Sequence, residues 1–404
     1  MSGKEAVGGR LDRATTGDRL FFCSYGLFTV MSILMTSFYY GYFEGKMCMW
    51  LQIFCLGLLG AYELRNGFLK AQNWPAGVVL AALTLLSLRV SLGSITRLVP
   101  MMFVYIYCAR RIDFERLARS TLKWSLVTVA VVVFSAYLGI IDNVVMYKSH
   151  RVRQFLGFRY ALYLPGILLN LTLLWVYLRR KTMPIFGVIC WGLANWYVYY
   201  MTDSRFSFVM AEALLVLGLV MRWLPKLVEK LRPLWALCVP AFVLAGGASL
   251  ALTWFYDASV TWMRRLNSGL SSRLSLGKAS LEKYGVPWFG QEVEWVGNGL
   301  DSAGNSVQAP YDYVDSLYVK ILQRYGIVFT VVLMVVLTWA MYRLWKKRHY
   351  LILLISAAVA AHCILDDLSF ALHYNTFWIA MGLAVFAPQR LEQAPAEDPP
   401  PKDH

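Results

Sequence analysis

Leu122-Lys123-Trp124-Ser125-Leu126-Val127-Thr128-Val129-Ala130-Val131-Val132-Val133-Phe134-Ser135-Ala136-Tyr137-Leu138-Gly139-Ile140-Ile141 carries a single charge, close to its start. Ile327-Val328-Phe329-Thr330-Val331-Val332-Leu333-Met334-Val335-Val336-Leu337-Thr338-Trp339 carries none. About 20 apolar residues wound as a helix cover about 30 Å, the thickness of a bilayer's hydrocarbon core. The rest of the chain has the same character. Of its 404 residues, 58% are apolar and 16% charged, against about 25% charged in soluble domains. A soluble chain of this size cannot bury so much apolar surface. A soluble enzyme, a disordered chain and a disulfide-rich secreted module are therefore excluded. The length of the runs and their weak alternation exclude an outer-membrane barrel.

Working outward, helical spans are expected near 20–43, 47–64, 74–92, 95–109, 122–141, 160–178, 183–200, 206–221, 234–256, 324–344, 350–365 and 374–388. The expected fold is all-α: one polytopic membrane domain over 20–388 with about twelve transmembrane helices. A basic segment, 1–19, precedes it, and an acidic, Pro-rich tail, 389–404, reads as disordered. The first run is too long for a signal-peptide core and reads as a retained helix. Spans 3 and 4 read as a tight hairpin through Ser91–Thr96. The seven Cys lie in or beside apolar runs with no C-x-x-C and no metal-ligand spacing, so they read as small hydrophobes.

Net charge is +15, from 39 Lys and Arg against 24 Asp and Glu. In a membrane protein this is the positive-inside bias and calls for no nucleic acid. Arg110-Arg111, Arg179-Arg180-Lys181, the Arg222–Arg232 cluster and Lys346-Lys347-Arg348 then lie on the cytoplasmic side, with both termini. The opposite face keeps Arg151, Arg153, Arg159, Arg205, Arg264, Arg265 and Arg273. These either snorkel to lipid headgroups or bind an anion, since guanidinium matches phosphate oxygens bidentately. The same face carries the largest loop, 257–315, between spans 9 and 10. It is rich in Gly, Trp, Tyr and carboxylates, which suits a sugar's C–H faces and hydroxyls and equally a membrane-interface cap.

Three stretches carry a resemblance. They are Tyr200-Met201-Thr202-Asp203-Ser204-Arg205, then Leu266-Asn267-Ser268-Gly269-Leu270-Ser271-Ser272-Arg273-Leu274 with the later Phe289-Gly290, and Tyr311-Asp312-Tyr313-Val314-Asp315-Ser316-Leu317-Tyr318 running on to Arg324-Tyr325-Gly326-Ile327. With the twelve spans and the late loop, the chain resembles the O-antigen and capsular polysaccharide polymerases (Wzy type) of the O-antigen ligase/polymerase superfamily. Local likeness is concentrated in Phe155–Pro165, Thr202–Arg205 and Asn267–Ile327. The resemblance implies a core similar to GT-C class glycosyltransferases and a place in the bacterial cytoplasmic membrane. It also implies an undecaprenyl-diphosphate-linked oligosaccharide as substrate, alongside membrane lipid, and no metal or other cofactor. A chain-length-control protein is an additional candidate partner. The ligase branch typically carries a His in the late loop, and this chain has none between His150 and His349, which favours the polymerase branch. Arg153-Gln154-Phe155-Leu156-Gly157-Phe158 partly resembles a family loop, with Gln154 where a His is usual and Ala161-Leu162 where Pro-Asn would follow.

The implied reaction needs charge stabilisation on a departing diphosphate and removal of a proton from a sugar hydroxyl. For the first, Arg205 and Arg273 lead, with Arg153 and Arg159 as a basic rim. Tyr311 and Tyr313 are candidate glycan contacts. For the base, the candidates are Asp315, Asp312, Asp366 and Asp367. Asp315 is equally placed to cap span 10, and Asp203 to cap span 8. His362 reads either as functional or as a hydrogen-bonder between helices. A ligase moving finished glycan and a flippase for lipid-linked sugars are the alternative functions.

Overall fold

The computed structural model describes residues 3–43, 45–66, 74–91, 97–148, 151–301, 303–305 and 310–391. Part of the expected span 3–4 hairpin (92–96) and most of the expected tail (392–404) lie outside the described residues. Helices dominate in chain order: α1 (Gly3–Leu34), α2 (Gly45–Asn66), α3 (Trp74–Arg89), α4 (Leu98–Cys108), α5 (Phe114–Tyr137), α6 (Tyr163–Arg179), α7 (Ile185–Thr202) and α8 (Arg205–Trp223). After the short α9 (Pro225–Lys230) and α10 (Arg232–Trp235) come α11 (Ala241–Trp254), α12 (Thr261–Gly269), α13 (Arg273–Tyr284), α14 (Leu317–Lys346), α15 (Tyr350–His362) and α16 (Phe377–Phe386).

Each expected span carries a helix. Four of them, α2, α5, α8 and α14, are long and apolar enough to cross a membrane, and a fifth forms if the bent pair Arg232–Cys238 and Ala241–Trp254 counts as one span. α3, α6, α15 and α16 are apolar but shorter. The apolar fill is uneven. α2, α5 and α8 leave one face of Leu, Val, Ile and Trp exposed, whereas α16 is buried from Phe377 to Ala384. A helix apolar all round belongs inside a bundle. Around α16 stand α4, α14 and α15, and α14 also packs on α3 and α11. At one end, the buried Arg110 guanidinium grips the Glu63 carboxylate bidentately at 2.6 and 2.9 Å and lies over Tyr107.

One feature departs from the expected all-α plan, and two add detail to it. A β-hairpin, β1 (Val145–Lys148) with β2 (Arg151–Gln154), pairs antiparallel with Val145 opposite Gln154. Its alternating Val145, Tyr147 and Val152 stay exposed, so no apolar run announced it. The 257–315 loop holds two helices, α12 and α13. Finally, α14 starts at Leu317, well before the expected 324, because the polar turn Lys320–Arg324 packs against protein, with Gln323 fully buried.

α14 is broken at Gly326, where the backbone takes φ 89°. The loop Pro287–Gln291 docks into the break. Ile327 N–H donates to Pro287 O (3.0 Å), Val328 N–H to Trp288 O (3.1 Å), and Gln291 N–H to Arg324 O (3.0 Å). A Cβ on Gly326 would sit 2.4 Å from Gly290 N, and one on Gly290 would sit 2.6 Å from Arg324 O. Gly326→Ala is therefore expected to lose the dock, beyond the ~1–3 kcal/mol of backbone strain at positive φ. Gly285→Ala shares a positive φ but meets open space, so it serves as the milder comparison. Thermal melting of the purified protein should rank Gly326→Ala well below Gly285→Ala; equal melting temperatures would refute the close-packing account.

Candidate active site

Four segments converge at the end of α15. The N–H of Leu317, at the start of α14, donates to Cys363 O (2.9 Å), which draws the stretch before α14 against Asp366-Asp367. On another side, α13 is tied to α14 through Ser280, whose hydroxyl donates to Gln323 (2.9 Å) and accepts from the Trp295 indole (2.9 Å). Phe206, in the first turn of α8, stacks on His362 at 5.2 Å.

Asp315 does not cap α14. Ser316 holds the cap position and pairs its hydroxyl with Ser249 (2.8 Å). Asp315 turns instead to Arg273, 3.4 Å from Nε, and to the Tyr311 hydroxyl, which donates at 3.4 Å. Arg273 is held there by its neighbours. Ser271 and Ser272 are both left-handed, and Asn267 Oδ1 accepts the N–H groups of Leu274 and Ser275 at the α12–α13 corner. Asp367 receives the Lys320 ammonium and the Tyr313 hydroxyl (2.8 Å). Asp366 accepts Leu368 N–H (2.6 Å) and lies 3.8 Å from His362 Nε2. His362 meets Ser369 through its other nitrogen (3.1 Å). Three of the four candidate carboxylates, both tyrosines and Arg273 thus come together.

The electrostatics follow from this crowding. Burial, then the Asp367 charge, pushes Asp366 up to about 7. Burial pushes Asp315 up to about 6 against the pull of Arg273. Both carboxyls sit where a proton can be taken and returned near neutral pH.

The other candidates lie apart from the cluster. Asp312 braces the loop: although burial works to raise it, the Val296 N–H (2.6 Å) and the Lys283 ammonium (3.0 Å) hold it below the usual range. Arg159 donates to Leu300 O (3.2 Å) and Met35 O (2.8 Å) and lies over Tyr40, so its guanidinium is engaged by protein. Arg205 is 67% exposed and pairs with Asp203 at 3.2 Å. Asp203 takes a left-handed turn between α7 and α8 rather than the cap position, which is Ser204. Arg153 reaches the Asp203 carbonyl at 3.5 Å. Arg153 and Arg205 thus share a corner beside Phe206.

A cavity of about 580 Å³ adjoins the cluster, within the size range of small-ligand sites. Lys320, Arg324, Asp367, Arg159 and His373 meet apolar residues such as Leu98 and Phe370 in its wall. Lys320 is not a candidate by sequence, and Arg324 enters only as part of the third quoted stretch. A signal exists: two cations a helical turn apart, Lys320 and Arg324, with Gln323, interrupt an otherwise apolar start of α14. Burial pushes His373 down to about 3, which keeps this wall residue neutral.

Comparison with family models, curated proteins and solved structures finds no match to this chain.

Proposed function

We propose that the protein is a polysaccharide polymerase that joins lipid-linked oligosaccharide repeat units by metal-independent glycosyl transfer. The observation that carries this reading is the meeting of Asp315, Asp366 and Asp367 with Arg273 beside the polar and apolar cavity. In the reaction, Asp366 takes the proton of an acceptor sugar hydroxyl. The hydroxyl oxygen bonds to the anomeric carbon of a second glycan, and the bond from that carbon to the diphosphate oxygen breaks. The polyprenyl diphosphate leaves with its charge opposite Arg273. Asp315, hydrogen-bonded by Tyr311, orients Arg273, and the Lys320–Asp367 pair fixes the wall of the cavity. Exposed Arg205 and half-buried Arg153 form a basic approach for the substrate headgroup.

The proposal places twelve spans in a bacterial cytoplasmic membrane, with both termini inside, a core similar to GT-C glycosyltransferases, and the cluster at the outer face. Supporting it is the bias of Arg and Lys toward the other end of the bundle. Reporter fusions at Lys181 and Lys226 should read cytoplasm and one at Gly299 the outside. A cytoplasmic signal at Gly299 would overturn the sidedness and the source of substrate together.

Incubating the purified protein with a lipid-linked repeat unit tests the function. A ladder of products is the expected result. Transfer of finished glycan to a different acceptor would identify a ligase. Movement across vesicles without new bonds would identify a flippase.

A further inference from the structure

We propose that the loop Pro287–Gln291 is a membrane-seated finger whose Trp288 and Phe289 side chains lie among the hydrocarbon chains of bilayer lipid, at the level where α14 breaks. Backbone hydrogen bonding carries the proposal, independently of the polymerase reading. A helix broken at Gly326 leaves N–H groups after the break and a carbonyl before it without partners in the helix itself. At the edge of a bilayer, such groups are satisfied by protein. Here the finger supplies all three partners: Pro287 O, Trp288 O and Gln291 N–H. The finger therefore sits at the depth of the break and nowhere else.

The remainder of α14 fixes that depth. Beyond Gly326 the helix runs to Lys346, long enough to cover about 30 Å, and includes the uncharged run Ile327–Trp339. Its exposed row is Val331, Val335 and Trp339, one every four residues. Extended back by one step, this row reaches Ile327, which is bonded to Pro287. Trp288 and Phe289, 67% and 52% exposed, lie on the loop bonded to this end of the row. Their carbonyls are held, Trp288 O by Val328 and Phe289 O by Arg89 at 3.5 Å, so the finger is fixed in place between the end of α3 and the break. Aromatic rings at the end of a membrane-facing helix row suit the boundary between headgroups and acyl chains. The same finger holds the short helical segment Leu317–Tyr325, whose Lys320 and Arg324 line the cavity.

The test uses the full chain with Cys23, Cys190 and Cys238 replaced by Ser, reconstituted in phosphatidylethanolamine and phosphatidylglycerol vesicles. A nitroxide is attached at Phe289→Cys, and at the exposed Glu292→Cys as reference. Collisions with oxygen, which concentrates in hydrocarbon, and with a water-soluble nickel chelate are compared. The label at 289 is expected to favour oxygen strongly and the label at 292 to favour nickel. Trp288→Cys carries the same expectation and decides the matter if Phe289→Cys does not fold. Nickel access at 289 and 288 equal to that at 292 would overturn the proposal, making the finger an aqueous loop. Shielding from both reagents would also overturn it, since a protein surface and not lipid would then cover the finger. Neither measurement requires turnover, so a failed polymerase assay leaves this outcome readable.

Discussion

Replacing Arg273 by Ala should reduce polymer by about a hundred- to a thousand-fold, the usual loss when one electrostatic donor to a developing anion is removed. Arg273 is the candidate arginine in contact with a cluster carboxylate, 3.4 Å from Asp315, and the α12–α13 corner is built around it. Lys in its place keeps the charge but loses the fork that matches phosphate oxygens, so Arg273→Lys should recover only part of the activity. Arg205→Ala should cost less, because Arg205 stands 67% exposed and is screened by water and Asp203. Arg264→Ala and Arg265→Ala, on the exposed side of α12, should be milder still. The readout is ladder intensity normalised to membrane protein level. Full polymer from Arg273→Ala would remove the diphosphate role from this cluster.

Asp366→Asn is the second large effect. Loss of a general base typically costs about a hundred- to ten-thousand-fold. The pH dependence carries the finer test. A carboxyl held up at about 7 is a competent base only above that value, so turnover should rise with pH along a limb near 6 to 7 and fall away in acid. Asp367→Asn removes a negative neighbour and leaves Lys320 unpaired; both changes lower the Asp366 value and should move the limb to lower pH. Folding stability runs the other way. A carboxyl whose folded value lies above its ordinary 3.8 favours the folded state below that value, and the contribution is lost as pH rises through about 7. This group's contribution to stability therefore falls between about pH 3.8 and 7, the range over which its activity as a base rises. An activity limb unmoved by Asp367→Asn would separate Asp366 from the rate-limiting proton transfer.

The helices were legible because apolar runs of bilayer length leave few alternatives, and each expected span holds one. Their ends were less legible. α14 begins early because Lys320 and Gln323 are satisfied by Asp367 and Ser280, partners that lie far away in sequence. The carboxylates at 315, 366 and 367 could be picked out by type and position. Their meeting depends on the Leu317–Cys363 backbone bond, which no local pattern encodes. Asp312 has the same residue type as Asp315 and stands three positions away, yet it braces a loop, because the extended chain turns it to the opposite side. The Phe289-Gly290 and Tyr325-Gly326 motifs were visible as words, but their contact, glycine against glycine, was not.

Arg159 ties together parts of the chain that are made far apart in time. Its two terminal nitrogens hold carbonyls 124 residues earlier and 141 residues later in the chain. A side chain in the middle of the sequence thus waits for both a first helix already inserted and a late loop not yet made. Contacts that close such long stretches form late and slowly. A nascent chain carrying every helix up to α13 still lacks both Leu300 and Lys320. The two carbonyls that hold Arg159 are therefore joined through it only once the late loop has been made.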